Sequence, residues 1–173
     1  MILVDTNVLV DVLDDDPDWA DWSIAQLRSQ AQVHALAINP VVYAELSFAF
    51  RRFEELEDAV RRLGLAYREL PRPALFLAGK AFARYRAGGG VRTGVLSDFF
   101  IGAHAAVDRL TLLTRDPRRY RGHFPTVPLV TPDTHPPTQP LSPRPNDSPA
   151  LPAYTSARHL VRRAPRGRAA GGR

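Results

Sequence analysis

Between residues 2 and 130, short apolar runs of strand length alternate with longer segments of helical period, and no other property of the chain restricts its fold as much. The short runs fall at 2–4, 33–38, 65–70, 111–114 and 127–130. Between them the pattern predicts helical segments. An early one follows Val8. A second opens on the cap-and-proline pair Asp16–Pro17 and runs through about Gln30, offering Trp19, Trp22, Ile24 and Leu27 to a core. A third opens on Asn39–Pro40 and runs to about Phe50. Others cover 54–63, ended by Gly64, then 74–87, ended by the glycines at 88–90, and 97–110, capped by Ser97. Strands separated by helices pair in parallel, and a parallel sheet must be covered on both faces. The expected fold is α/β: three layers, α/β/α, around a small central parallel sheet. Such sheets present their ligands to the carboxyl ends of the strands.

The alternation stops at 130. Residues 131–152 are rich in proline, serine and threonine, and 158–173 are basic and rich in glycine and alanine. We therefore divide the chain into one folded domain, 1–130, and an extended, disordered tail, 131–173. The formal charge of +5 belongs to that tail, which carries seven arginines against Asp133 and Asp147; the body has sixteen basic and sixteen acidic residues. A polyanion partner for the body must therefore be argued from local sites and not from net charge. The tail could be an incidental extension or a basic arm for nucleic acid. The absence of cysteine excludes disulfides, thiolate zinc sites and thiol nucleophiles. No apolar stretch is long enough to span a bilayer, and the first residues lack the order of a secretory leader, so a cytoplasmic protein is expected.

Most acids stand in solvated groups, at 14–21 and at 54–58. Four do not. Asp5 interrupts MILVDTNVLV directly after the first strand. Glu45 lies in the apolar helix PVVYAELSFAF, Asp98 between a leucine–serine pair and two phenylalanines, and Asp116 just after the fourth strand. Each has a structural alternative: Asp5 as a helix cap, Asp98 as a partner of a helix dipole, Asp116 as a turn former before Pro117. Glu45 has no cap to make. Parallel topology brings Asp5 and Asp116 to one edge of the sheet, and carboxylates gathered there repel one another unless a cation joins them. All-oxygen donors with no suitable histidine cluster favour Mg²⁺ or Mn²⁺ over zinc, and such ions favour phosphate chemistry. Thr6, Asn7 and Thr114 are the short polar groups able to orient these carboxylates, helix capping being the alternative for the first two. Arg115 is the candidate for a substrate phosphate. His104 does not share a helical stripe with Asp98 and is read as a packed or surface histidine.

Residues 1–130 resemble the PIN-domain ribonucleases, and among them the VapC toxins of toxin–antitoxin pairs. The resemblance rests on ILVDTNVLV at the start, AEL at 44–46, LSDFFIGAHA at 96–105 and LLTRDPRRY at 112–120. It implies that Asp5, Glu45, Asp98 and Asp116 form the family's acidic tetrad; we expect the tetrad to hold Mg²⁺ or Mn²⁺, with Asp5 and Asp98 as direct ligands and Glu45 and Asp116 completing the shell directly or through water. It also implies endonucleolytic cutting of single-stranded or loop RNA such as tRNA or rRNA, leaving a 5′ phosphate, together with a homodimer and a small cognate antitoxin. The tail has no counterpart in that pattern. Target choice would depend on groups such as Arg51, Arg52, Arg92, Arg118, Arg119 and Tyr120.

Two other readings stay open. A non-catalytic RNA- or partner-binding module could share the fold. An aspartate-nucleophile phosphatase also begins with a strand ending in aspartate, but needs a second acid where this chain has Asn7, and a lysine for which only Lys80 is available. The glycines of GGGVRTG, 88–94, lack a phosphate-binding lysine and are read as a flexible connection.

Overall fold

The computed structural model describes residues 1–91 and 94–136. Its centre is a five-stranded, wholly parallel sheet: β1 (Ile2–Val4), β2 (Leu36–Ile38), β3 (Leu65–Tyr67), β4 (Thr111–Leu113) and β5 (Leu129–Val130), in the spatial order β3-β2-β1-β4-β5. Helices α1 (Thr6–Leu13), α2 (Ala20–Ala31), α3 (Pro40–Leu46), α4 (Phe53–Arg62), α5 (Arg72–Ala87), α6 (Leu96–Val107) and α7 (Arg118–Arg121) cover it as a three-layer α/β/α arrangement, the one expected. The inner strands β1 and β2 are buried at every position, as two-sided coverage demands, whereas Ala66 and Tyr67 of the edge strand β3 face outward.

The first crossovers carry the chain from β1 outward to β2 and β3, and the connection through α5 and α6 then returns it past β1 to β4. The strand order reverses between β1 and β4, whose register pairs Val4 with Leu113. At such a reversal the loops leave in opposite directions and open a crevice at the carboxyl ends. Asp5 and Thr114 are the first residues beyond those two ends, and the Asp5 amide donates to the Leu113 carbonyl at 2.9 Å.

Local chemistry explains most element limits. Asn39 caps α3 through Oδ1, which accepts from the Val41 and Val42 amides, both at 3.0 Å, with Pro40 in the first turn. Helix α4 places Glu54 and Glu55 in its first turn and Arg61 and Arg62 in its last, then ends before Gly64 at φ +64°.

Several limits differ from expectation. Asp16 caps a separate turn, accepting from the Asp18 and Trp19 amides at 2.9 Å, so α2 starts only at Ala20. Ser97 does not cap α6, which begins a residue earlier at Leu96 with no side-chain cap. The helix expected to reach Phe50 is α-helical only to Leu46 and tightens to a 3₁₀ turn over Ser47–Ala49. Strands expected at 33–38, 65–70 and 127–130 are shorter; at the first, the Val33 and His34 amides are taken by the Gln30 carbonyl in the turn that ends α2. Helix α7 was not anticipated from a basic segment only four residues long. Residues 92 and 93 of the glycine-rich connection, Arg92 with them, and all of the tail beyond 136 lie outside the described residues. Among the described residues, no helix is long and apolar enough to cross a membrane.

Candidate active site

Asp5 occupies the N-cap position of α1, yet its side chain makes no cap hydrogen bond. Three donors converge instead on its Oδ2, one from the same loop and two from far along the chain: Asn7 Nδ2 at 2.7 Å, Thr114 Oγ1 at 2.7 Å and Tyr120 OH at 2.9 Å. Asn7 Nδ2 also reaches Thr114 Oγ1 at 3.1 Å, and Asn7 Oδ1 accepts the Arg115 amide at 3.1 Å. Thr114 Oγ1 in turn accepts the Asp116 amide at 3.2 Å. The loops after β1 and β4 are thus laced together around one carboxylate oxygen, whose orientation is fixed by the nearby Asn7 and by Thr114 and Tyr120 from the far end of the domain.

This carboxylate is 3% exposed. Burial pushes its pKa up to about 6, against the pull of the Thr114 and Tyr120 hydrogen bonds, and the charges of Asp98 and Glu45 push the same way. Asp98, in the first turn of α6, is 7% exposed. Its pKa is also raised, by burial first, with Arg119 opposing the shift and Glu45 and Asp116 adding to it. Each acid therefore feels at least one other across the crevice. Glu45 is half-buried in the last turn of α3 rather than in mid-helix, at the end where the helix dipole is unfavourable to an anion, and Thr6 Oγ1 donates to its Oε2. Thr6 ties α1 to α3 much as Asn7 ties α1 to the β4 loop.

One guanidinium spans two of the acids. Arg119 Nη1 lies 3.1 Å from both carboxylate oxygens of Asp98, and its Nε lies 3.1 Å from Asp116 Oδ2. Asp116 also meets the Arg118 amide at 3.3 Å and its Nε at 3.4 Å. Sequence reasoning placed Arg119 and Tyr120 on the cleft rim as target-choosing groups. Instead Arg119 neutralises the acidic centre, and Tyr120 is fully buried with its hydroxyl on Asp5. Burial, with Asp5 and Asp98 nearby, holds the Tyr120 phenol well above its ordinary range, so it remains a donor.

A further acid escaped sequence reasoning. Asp11, on α1, is 2% exposed, accepts from Ser23 Oγ at 2.9 Å and pairs with Arg115 Nη2 at 3.4 Å. Its pKa is raised by burial. The only sequence trace is an acid flanked by valines, VDVL, ahead of the solvated group that begins at Asp14. Arg115, expected at a phosphate, lies 5.5 Å over the Trp19 ring. His104 is fully buried between Asn39 Nδ2 at 3.3 Å and Asp108 Oδ2 at 3.2 Å, a packed histidine.

A PIN-domain family model matches residues 2–123. The chain belongs to the PIN-domain family. The match takes in four of the five strands and every acid of the crevice. No curated relative matches in sequence. Solved structures share the fold of this PIN domain at low identity. VapBC2 from Rickettsia felis, solved bound to a DNA fragment from the promoter, is 21% identical with a TM-score of 0.59, covering 76% of this chain and 98% of that one. VapBC-1 from nontypeable Haemophilus influenzae is 18% identical, with a TM-score of 0.58 and the same coverage, 76% and 98%. A toxin–antitoxin complex from Klebsiella pneumoniae is 20% identical at 0.54, again covering 76% and 98%.

The PIN domain's crevice offers hard carboxylate oxygens, two of them on buried acids raised in pKa by burial and by one another, which is the chemistry a hard divalent cation relieves. In donor type and charge the residues fit such an ion. As they stand, no three acidic, histidine or cysteine groups among the described residues are gathered closely enough to enclose one, and the neutralising charge comes from Arg119.

Proposed function

We propose that this PIN-domain chain is a Mg²⁺- or Mn²⁺-dependent endoribonuclease and the toxin of a toxin–antitoxin pair. The observation that carries the proposal is the placement of Asp5 and Asp98, both buried, beside Glu45 and Asp116 at the reversal of the sheet, with Asp5 Oδ2 immobilised by three donors. A structural carboxylate needs no such edge position. Asp5 and Asp98 would hold the ion, with Glu45 and Asp116 completing its shell directly or through water.

A bound divalent ion supplies an acidified water and neutralises charge on a scissile phosphate. The chain's residues do the rest. Asn7, Thr114 and Tyr120 hold one oxygen of Asp5 still and leave Oδ1 outside their grip. Thr6 fixes the rotamer of Glu45. Arg119 keeps Asp98 and Asp116 compatible while no other cation is present; released from them, its guanidinium is free to pair with phosphate oxygens, as is that of the exposed Arg118. RNA, including tRNA or rRNA, is the proposed substrate. A small antitoxin is the proposed partner, because solved proteins of this fold include toxin–antitoxin complexes; a homodimer is proposed with it. The uncatalysed-module reading predicts no cutting, and the phosphatase reading is disfavoured because Asn7 donates to Asp5 where that chemistry needs a second acid.

Total RNA incubated with the wild-type chain and Mg²⁺ or Mn²⁺ should be cut, cutting should stop with EDTA, and Asp5→Ala should lower the rate by at least a hundredfold. Cutting by Asp5→Ala at the wild-type rate would remove the proposal.

A further inference from the structure

Beside the acids lies a cavity of about 420 Å³ lined by Asn7, Trp19, Arg115, Asp116, Pro117 and Arg118, with Arg119, Pro132 and Asp133 completing it. Its size lies in the range that accepts a small ligand. It shares Asp116 and Arg119 with the acidic centre, so anything seated in it is next to the reacting phosphate. Its walls combine an indole and two prolines with three arginines, the combination of apolar faces and cations that single-stranded nucleic acid engages through base stacking and phosphate pairing.

The cavity is also built in advance. Trp19 is half-buried and braced edge-on by Trp22, whose ring lies 6.2 Å away at 89° and whose Nε1 donates to the His135 carbonyl at 2.7 Å. Arg115 is held from three directions: its backbone amide by Asn7, its guanidinium by the buried Asp11, and its face by the Trp19 ring. Asp11 is the unexplained group here. A carboxylate 2% exposed on a helix otherwise packed into the core is costly, and its partners are Ser23 and Arg115. Its effect is to aim a long, entropically loose side chain along the cavity wall, so that the ordering is complete before a ligand arrives.

We propose that this cavity is a subsite for a nucleotide flanking the bond to be cut, with Trp19 as the stacking platform for its base and Arg115, positioned by Asp11, as the contact for its phosphate. The inference rests on the nuclease reading above and adds to it the residues that seat the flanking nucleotide. It selects single-stranded RNA, because a base paired within a helix has no free face to offer Trp19.

The test is binding of a fluorescein-labelled, mixed-sequence single-stranded RNA decamer, followed by anisotropy in EDTA so that nothing is cut, with a duplex of the same length alongside. The wild type should prefer the single strand. Trp19→Ala should weaken binding about tenfold or more and Trp19→Phe only slightly, since Phe still stacks. In a Trp22→Phe background, Trp19 fluorescence should be quenched by the decamer, which keeps the test alive if Trp19→Ala fails to fold. Arg115→Ala should lower the slope of log affinity against log salt by about 0.7, the signature of one lost phosphate contact on a single strand; a merely structural arginine would change melting but not that slope. Equal binding by Trp19→Ala, equal loss in Trp19→Phe and Trp19→Ala, unquenched Trp19, an unchanged salt slope, or no preference over duplex would each overturn the subsite. Cleavage lost in Asp5→Ala alongside such a result would leave the nuclease reading standing, whereas wild-type cleavage by Asp5→Ala would overturn that reading independently.

Discussion

Asp5 combines a costly burial with three converging donors. Its carboxyl, about 6 against the ordinary 3.8, holds a proton more tightly in the folded chain than in the unfolded one. Its contribution to stability is therefore full below about 4 and is lost as pH rises through about 6. Asp5→Asn keeps an acceptor for Thr114 and Tyr120 and removes the charge. In metal-free buffer at pH 7.5 we expect it to be more stable than the wild type by about 2–3 kcal/mol in urea titration, with the fall in stability between pH 4 and 6 reduced to what Asp11 and Asp98 contribute and RNA cutting lost. Arg119 carries the complementary prediction. Without its guanidinium, Asp98 loses its ion pair and Asp116 keeps only Arg118, so Arg119→Gln should lower metal-free stability. Because the side chain is half exposed, the loss should be no more than about 1 kcal/mol. Adding Mn²⁺ should then raise the melting temperature of Arg119→Gln by more than it raises that of the wild type, and an equal rise would sink the idea that the guanidinium substitutes for a cation.

At the scale of elements, the site depends on how closely α6 approaches the α7 segment. Gly102 lies on α6 where an added Cβ would overlap the Phe124 ring and come within 3.1 Å of Tyr120 Cδ1. Gly102→Ala must therefore displace the ring whose neighbour hydrogen-bonds Asp5. We expect a loss of about 1–3 kcal/mol by thermal or urea unfolding, and a fall in cleavage larger than the unfolded fraction accounts for. The elements show where sequence reasoning reaches its limit. Caps such as Asn39, through its side chain, and breakers such as Gly64, through its φ, act on backbone within a few residues, so helices α3 and α4 are legible from local residues. Strand lengths are not: Val33 and His34 are strand-like in sequence, yet their amides bond back to the Gln30 carbonyl in the turn that ends α2.

For the molecule as a whole, the buried histidine links three elements. Asn39 Oδ1 is committed to capping α3, so its Nδ2 donates to His104 Nδ1, which must be the unprotonated nitrogen; Nε2 carries the hydrogen and donates to Asp108, which also meets Arg68 at 3.7 Å. Burial lowers the His104 pKa below its ordinary 6.5, partly countered by Asp108. The unfolded chain then takes up a proton first as pH falls, so stability drops on acidification below about 6.5, opposite in sign to the Asp5 effect. Measured in an Asp5→Asn background to reduce that opposing slope, stability should fall by at most about 1.4 kcal/mol per pH unit on acidification, and His104→Gln should reduce the fall whatever its absolute stability.

From the sequence alone came the parallel α/β order, the two strand ends that carry Asp5 and Asp116, and the acids standing in apolar company, because periodicity and an unpaired charge among hydrophobes are local facts. The tertiary structure alone decided which charges answer one another. That Arg119 lies across Asp98 and Asp116, that Tyr120 turns inward to Asp5, and that Asp11 is buried to aim Arg115 follow from contacts between residues up to 115 positions apart. The physical reason is that burial and Coulomb energy depend on distance in space, and only the reversal of strand order between β1 and β4 sets those distances.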